Sequence, residues 1–144
     1  MGEQSLTSAE AESALKYARK WAYRSDDPTS WSNLAAAYAT ASSPRLALAR
    51  KWYAKAAHRR DPRGMFEYGL MLLHGEGGAV DLRRGRKWLQ AAARVGQIDA
   101  LKVLCHALQH GEFGFLWSPQ RLRAPRQALR RADGALRRRV RGRE

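Results

Sequence analysis

Several features are scarce in this sequence, and each scarcity excludes a class of protein. The chain of 144 residues has one cysteine, Cys105, so no disulfide can form within it, and a single thiol agrees with a reducing compartment. No run of about eighteen apolar residues is present, which excludes a membrane-spanning helix. The first residues lack a basic segment followed by an apolar one, so no export signal is expected. These absences predict a soluble, single-domain, cytoplasmic protein.

Acidic residues are also scarce, at 13 against 27 lysines and arginines, and the formal net charge is +14. More than half of this excess lies after Trp117, where ten arginines face only Asp133 and Glu144. Clustered guanidinium groups bind phosphates. The candidate anion-binding residues are Arg130, Arg131, Arg137, Arg138, Arg139 and Arg141. A solvated basic helix face is the alternative interpretation of the same residues.

Arrangements typical of catalysis or metal binding are missing as well. The glycine-rich segment 75–78 is not followed by the Gly-Lys-Ser/Thr of a phosphate loop. His106 and His110 stand four apart on a predicted helix, but no third ligand follows at a recognisable spacing. No nucleophile elbow or pair of carboxylates occurs. We therefore predict no enzymatic activity, no metal and no cofactor, and we interpret Cys105 as a small packing residue.

Residues 68–96 predict a helix, a glycine turn and a second helix. Gly75 stands where a left-handed residue would end the first helix, and Asp81 can accept amide hydrogens at the start of the second. Gly69 lies inside the first helix, where glycine costs about 1 kcal/mol relative to alanine. Its use there is to let a neighbouring helix approach the backbone closely. The two helices are expected to pack antiparallel.

The same unit recurs on both sides of this segment. Trp52 matches Trp88 at a shift of 36 residues, and Ala56-Ala57 matches Ala92-Ala93 at the same shift. At these positions the chain resembles the Sel1-like repeats, a branch of the tetratricopeptide-like solenoids. The central unit keeps eight residues of that pattern: Gly69, Gly75, Gly77, Asp81, Trp88, Ala92, Ala93 and Gly96. It departs from the pattern at Leu72, Gly78 and Gly85.

The repeats and the resemblance together predict an all-α, right-handed α-solenoid of antiparallel helix pairs with a basic C-terminal capping helix. We expect a flexible N-terminus at 1–8, the repeat solenoid at 9–116, and an arginine-rich helix and tail at 117–144. A first helix should begin with the capping box of Thr7 and Glu10. Its predicted buried stripe comprises Ala14, Tyr17, Ala18, Trp21 and Ala22.

Beyond the third unit, the repeat pattern ends and prolines appear. We expect Pro119 and Pro125 to interrupt helix, so that the final helix runs from about 125 to 140. The apolar cluster of Phe113, Phe115, Leu116 and Trp117 is predicted to cover the open end of the stack.

The resemblance implies that the first helix of each pair lines a concave surface that binds a peptide. Carried over by position, the partner-binding residues are Trp31, Arg63, Phe66, Leu70, Leu73, Lys102, His106 and Gln109. An apolar patch with a basic rim would suit an acidic or amphipathic segment of another protein. The alternative is that the apolar members pack between repeats.

Similar repeat proteins serve as adaptors and regulators, and in bacteria as secretion-related or immunity partners. We therefore expect a bacterial adaptor, regulator or immunity-type protein that binds one acidic partner. The alternative function is binding of RNA or DNA phosphates through the arginine-rich C-terminal helix.

Overall fold

A computed structural model describes residues 7–142. Over this range the chain forms seven α-helices and one short 3-10 helix, with no β-strand. The α-helices are α1 (Ser8–Arg24), α2 (Pro28–Thr40), α3 (Leu46–His58), α4 (Pro62–His74), α5 (Leu82–Arg94), α6 (Ile98–His110) and α7 (Pro119–Arg141), and the 3-10 helix spans Glu112–Gly114. The prediction of an all-α fold is confirmed.

The helix ends follow from local side-chain chemistry. The capping box is present, because the Thr7 hydroxyl accepts from the Glu10 amide while the Glu10 carboxylate accepts from the Thr7 amide. The Asp81 carboxylate accepts from the amide of Arg84 at the start of α5. Gly75 and Gly111 end α4 and α6 in the left-handed conformation, with φ of 74° and 68°. These caps fix the lengths of the helices.

Each helix packs against the next one along the chain, from α1 to α7. We call α2, α4 and α6 the first helices and α1, α3, α5 and α7 the second helices, because the repeat begins at α2. The α-solenoid prediction is therefore confirmed. Its core runs through the stack and consists mainly of alanine and leucine, with Leu34, Leu72 and Leu89 fully buried.

Small residues bring successive helices into backbone contact. A Cβ at Gly69 would lie 3.1 Å from the Leu89 amide nitrogen and 3.3 Å from the Gly85 carbonyl oxygen, so α4 and α5 cross at these glycines. The predicted close approach at Gly69 is confirmed. A similar contact joins α3 to α4, where a Cβ at Gly64 would lie 2.7 Å from the Ala56 Cβ.

The first and second repeat units are also joined by a polar contact. Ser32 of α2 is a buried polar residue, and its hydroxyl donates to the carboxylate of Asp61. The same carboxylate accepts from the amide of Gly64, 2.8 Å away, and so caps α4. The Asp61 side chain therefore gives the buried Ser32 hydroxyl a hydrogen-bond partner and also caps the start of α4.

The stripe predicted for α1 is largely wrong. Ala22 is buried and Ala18 is partly buried, but Tyr17 and Trp21 are 71% and 66% exposed, and Ala14 is exposed too. Because α1 has only α2 and part of α3 beside it, the stack covers a narrow face of this helix. The predicted flexible segment 1–8 lies outside the described residues, except for Thr7 and Ser8, which belong to the start of α1.

The final helix begins earlier than predicted. It starts at Pro119, with Ser118 as its cap, and continues through Pro125. Proline at the first helical position removes no hydrogen bond, and the one bond lost at Pro125 is offset by packing of Leu122 and Leu129 on the core. The predicted C-terminal tail beyond 142 lies outside the described residues.

The predicted apolar cover at the end of the stack is only half right. Phe115 is 5% exposed, and the Phe113 ring packs edge-on against His74 at 5.2 Å. Leu116 and Trp117, by contrast, are 73% and 64% exposed. The two phenylalanines cover the junction of α4, α5 and α6, while the next two residues point to solvent on the way to α7.

The contact at Gly64 generates a stability prediction. We expect Gly64→Ala to destabilise the protein by about 1–2 kcal/mol. Overpacking costs about 1–3 kcal/mol, a contact of 2.7 Å with a helix backbone beside it belongs to the upper part of that range, and helix propensity returns about 1 kcal/mol. Gly134→Ala is the matched control, because the nearest atom to its added Cβ is 4.0 Å away. That control should be neutral or stabilising. Equal urea midpoints for the Gly64 variant and the unsubstituted protein would contradict the close contact.

Candidate functional site

Five of the eight predicted partner-binding residues are accessible on the first helices. Arg63 on α4 and Lys102, His106 and Gln109 on α6 are exposed, and Leu70 on α4 is partly buried. We call the surface formed by these five residues the first-helix face. Its residues come from two neighbouring repeats, as the solenoid prediction requires.

The other three predicted residues belong to the core. Trp31, Phe66 and Leu73 are 3%, 8% and 4% exposed. The Trp31 indole nitrogen donates to the Ala22 carbonyl 3.2 Å away, and the Lys55 ammonium lies 4.0 Å from the centre of its ring. Their burial removes these three side chains from any surface that a partner can contact. The alternative interpretation, packing between repeats, holds for them.

A glutamate that sequence reasoning did not select lies within the first-helix face. Glu67 is one helical turn from Arg63, and Asp99 on α6 is close enough to act on its charge. Burial raises the pKa of the Glu67 carboxyl, the nearby Asp99 and Glu76 raise it further, and Arg63 lowers it. Burial, together with the negative charge of Glu67, also raises the pKa of Tyr53 to about 12. Arg63, Glu67 and Leu70 are spaced at i, i+4 and i+7, which places them on one side of a helix. This spacing is the signal by which Glu67 could have been selected from the sequence.

The α6 end of the face is held by local contacts. His106 Nδ1 lies 3.1 Å from a Glu112 carboxylate oxygen, and the His106 and His110 rings are 4.4 Å apart. The Gln109 amide oxygen accepts from Arg126 of α7 at 3.2 Å. Among residues 7–142, no group of three or more candidate ligands could hold a metal ion.

Cys105 lies beside this face without belonging to a reactive site. It is partly buried, and burial raises the pKa of its thiol. A thiol with a raised pKa carries less of the nucleophilic thiolate at neutral pH. Its environment supports a packing role.

Charge is divided sharply between the two sets of helices. The three first helices carry two basic side chains, Arg63 and Lys102, and two acidic ones, Glu67 and Asp99. The four second helices carry 21 basic and three acidic side chains. The first-helix face is therefore balanced in charge, while the opposite side of the solenoid is strongly positive.

The six arginines predicted to bind anions are all exposed, and all lie on the second half of α7. This helix has 23 residues where α2 to α6 have 13 each. The extra ten residues correspond to about 15 Å of helix. Leu136 and Val140 on this part of α7 are 48% and 63% exposed. These arginines therefore lie on a part of α7 that has few contacts with the other helices.

Two solved structures share this arrangement of helices. One is a Sel1 repeat protein from Oxalobacter formigenes, with a TM-score of 0.73 and 20% sequence identity over 83% of this chain and 48% of that one. The other is a protective antigen present in uropathogenic Escherichia coli strains and displaying an SLR fold, with a TM-score of 0.73 and 20% identity over 85% of this chain and 26% of that one. The fold is that of the Sel1-like repeat proteins.

The Sel1-like repeat stack described here is short. It spans about half the length of the first similar structure and about a quarter of the second. No protein-family model matches the sequence, and no curated protein matches it. In the part of the chain that the structure describes, no helix is both long and apolar enough to cross a membrane.

The raised pKa of Glu67 gives a pH-dependent prediction. Because the unfolded chain ionises this carboxyl at its ordinary pKa of 4.5, the folded protein loses stability as pH rises from there through the raised value. Glu67→Gln should therefore stabilise the Sel1-like repeat stack at pH 7 and give no advantage at pH 4. Thermal unfolding of both proteins at pH 4, 5, 6 and 7 measures this, with the exposed Glu12→Gln as control. A stability difference that did not grow with pH would contradict the effect.

Proposed function

We propose that this chain is a protein-interaction module whose first-helix face binds one segment of another protein. The observation that carries the proposal is the set of accessible side chains on two neighbouring first helices, Arg63 and Leu70 on α4 and Lys102 and His106 on α6. Two successive repeats carry these side chains, so an extended segment can contact both. Binding, and not catalysis, is the activity that such a surface supports.

Leu70 is the apolar centre of this surface. Leu70 is partly buried and packs against the hydrophobic core, and Arg63 donates to the side-chain amide oxygen of Asn33 at 3.5 Å. An apolar contact surrounded by hydrogen-bonding groups is a common composition for a transient interface. In a bacterial cytoplasm, such a module would serve as an adaptor, a regulator or an immunity-type protein.

The first-helix face gives little support to the expectation of an acidic partner. Arg63 and Lys102 are matched in number by Glu67 and Asp99, so the face provides no excess of positive charge to select an acidic segment. A partner segment with both signs of charge suits it better.

A photocrosslinking experiment tests the first-helix face directly. Benzoylphenylalanine would replace Leu70 on α4, or Leu48 on the second helix α3 as control, since Leu48 is 36% exposed. After irradiation in native lysate, we expect a discrete crosslinked protein from position 70 and none from position 48. Lys102→Glu should weaken that crosslink about tenfold if Lys102 is a central contact, whereas Lys51→Glu on α3 should not. Equal crosslinking from both positions would refute the proposal.

A second candidate function is supported by the projecting half of α7. Arg137, Arg138 and Arg139 are exposed, and the whole of α7 contains one acidic residue, Asp133, against nine arginines. We propose as the alternative that this helix binds the phosphates of RNA or DNA. Counterion release would supply the affinity, without sequence specificity.

Salt dependence distinguishes this alternative from general attraction by a basic protein. Each arginine that contacts a phosphate contributes about one unit to the slope of log affinity against log salt. Substituting Arg137, Arg138 and Arg139 by alanine should lower that slope by about three for a 20-base-pair duplex. Substituting Lys16, Arg19 and Lys20 of α1 by alanine removes the same charge and should leave the slope nearly unchanged. Equal slopes for the two variants would exclude a specific role for α7.

A further inference from the structure

Aromatic pairs bridge neighbouring second helices in this solenoid. Tyr23 of α1 meets Trp52 of α3 edge-on, with ring centres 5.3 Å apart. His58 of α3 meets Trp88 of α5 in the same way at 5.2 Å. The two tryptophans are 36 residues apart and occupy the same place in their repeats. Each one narrows the groove between its own helix and the preceding second helix, and a cavity of about 310 Å³ remains beside Trp88.

The third position of this series is an alanine. Thirty-six residues after Trp88 stands Ala124 of α7, and 36 residues after His58 stands Arg94 of α5. At this shift Ala128 and Leu129 are the counterparts of Ala92 and Ala93, and both pack against the core. The caps of α5 and α7, Asp81 and Ser118, are 37 residues apart, which would make Pro125 the counterpart of Trp88. Neither Ala124 nor Pro125 carries an aromatic ring, so α7 offers no tryptophan to bridge the groove to α5.

A cleft of about 570 Å³ lies between α5 and α7. Its size falls in the range of about 300–1,000 Å³ that is usual for binding sites. Leu104 and Leu108 of α6 form its floor, and Ala124 and Ala128 form one wall. Exposed Ala124 leaves open the space that an indole ring fills in the two preceding grooves.

Positive charge surrounds this apolar cleft. Arg94 and Arg121 line its edge, and an adjoining cavity of about 270 Å³ is lined by Arg83, Arg86, Lys87 and Arg121. Arg86 donates to the Phe113 carbonyl at 2.9 Å. Within residues 7–142, none of these five cations forms an ion pair. The cleft therefore combines an apolar floor with unneutralised cations.

We propose that the cleft between α5 and α7 binds an aromatic side chain on an acidic segment of a partner protein. The ring occupies the volume that Trp52 and Trp88 fill in their own grooves, and the guanidinium groups of Arg94 and Arg121 stack on it or bind flanking carboxylates. This site lies between two second helices, over a floor supplied by α6, and uses none of the five residues of the first-helix face. A nucleic-acid base fits less well, because seven of the ten lining residues are apolar and Gln90 is the one neutral hydrogen-bonding side chain among them, so most of the polar edge would be buried without a partner.

A larger side chain at position 124 would fill the cleft, and this gives a direct test. A random dodecapeptide phage library is selected on the unsubstituted protein, and the enriched peptides are measured by fluorescence anisotropy. We expect them to contain a tryptophan, tyrosine or phenylalanine flanked by aspartate or glutamate. Ala124→Trp should weaken their binding by about tenfold or more, as expected for loss of a central aromatic contact. Ala135→Trp, on the same face of α7 three turns further on, is the matched control and should bind normally.

Charge reversal provides a second variant that does not depend on filling the cleft. Arg94→Glu with Arg121→Glu should also weaken binding by about tenfold or more, whereas Arg137→Glu with Arg138→Glu should weaken it much less. Lys102→Glu should have no effect, so failure of this site and failure of the first-helix face are distinguishable. The proposal is overturned if no peptide is enriched, if enriched peptides lack an aromatic residue, if Ala124→Trp binds them normally, or if a 12-nucleotide strand competes at equal concentration.

Discussion

The structure depends on the close approach of successive helices at small residues. Gly64 rests on Ala56, and Gly69 lies against the backbone of α5 near Gly85. At such contacts a single methyl group changes the distance between helix axes, because protein interiors are packed without spare volume. These crossings fix how α3, α4 and α5 are placed, and the remaining helices are added by the same pairwise packing. The first-helix face and the exposed basic side chains of the second helices are both consequences of this spacing.

Sequence reasoning found the features whose cause is local. Gly75, Asp81 and the capping box act within one turn of their own helix, so their roles could be read from spacing alone. The repeat period then supplied the long-range order, since it shows which helices are equivalent. For this reason the fold was predictable without coordinates.

The side to which each residue points was less predictable. Trp31 was assigned to the binding surface, but its indole donates to a carbonyl of α1, nine residues earlier in the chain. Tyr17 and Trp21 were assigned to the core, but α1 has too few neighbours to cover them. Helical periodicity identifies a stripe and not the neighbour that will cover it. Three of the eight residues predicted for the candidate site are buried for this reason, and the other five remain a prediction.

The division of charge follows from the layered arrangement. First helices lie between second helices of their own and the preceding repeat, so much of their surface is covered and charged side chains are costly there. Second helices keep a broad solvent face that tolerates arginine. The division therefore arises from packing alone, but it leaves two surfaces of different chemistry. We expect the balanced face to select a partner through shape and hydrogen bonds, and the positive side to attract negative charge at longer range.

The last helix shows how the stack supports residues that lie beyond it. Leu122 is buried and Leu129 packs on the core, and these contacts anchor the first turns of α7. Nucleation is the costly step of helix formation, while each further residue adds a hydrogen bond at small cost. The segment that carries Arg137 to Arg141 is too short to be stable as an isolated helix. Its arginines are held in a fixed array because the first three turns of α7 are anchored on α6. The position of the arginines at the C-terminal end of α7 therefore depends on the packing of its N-terminal turns.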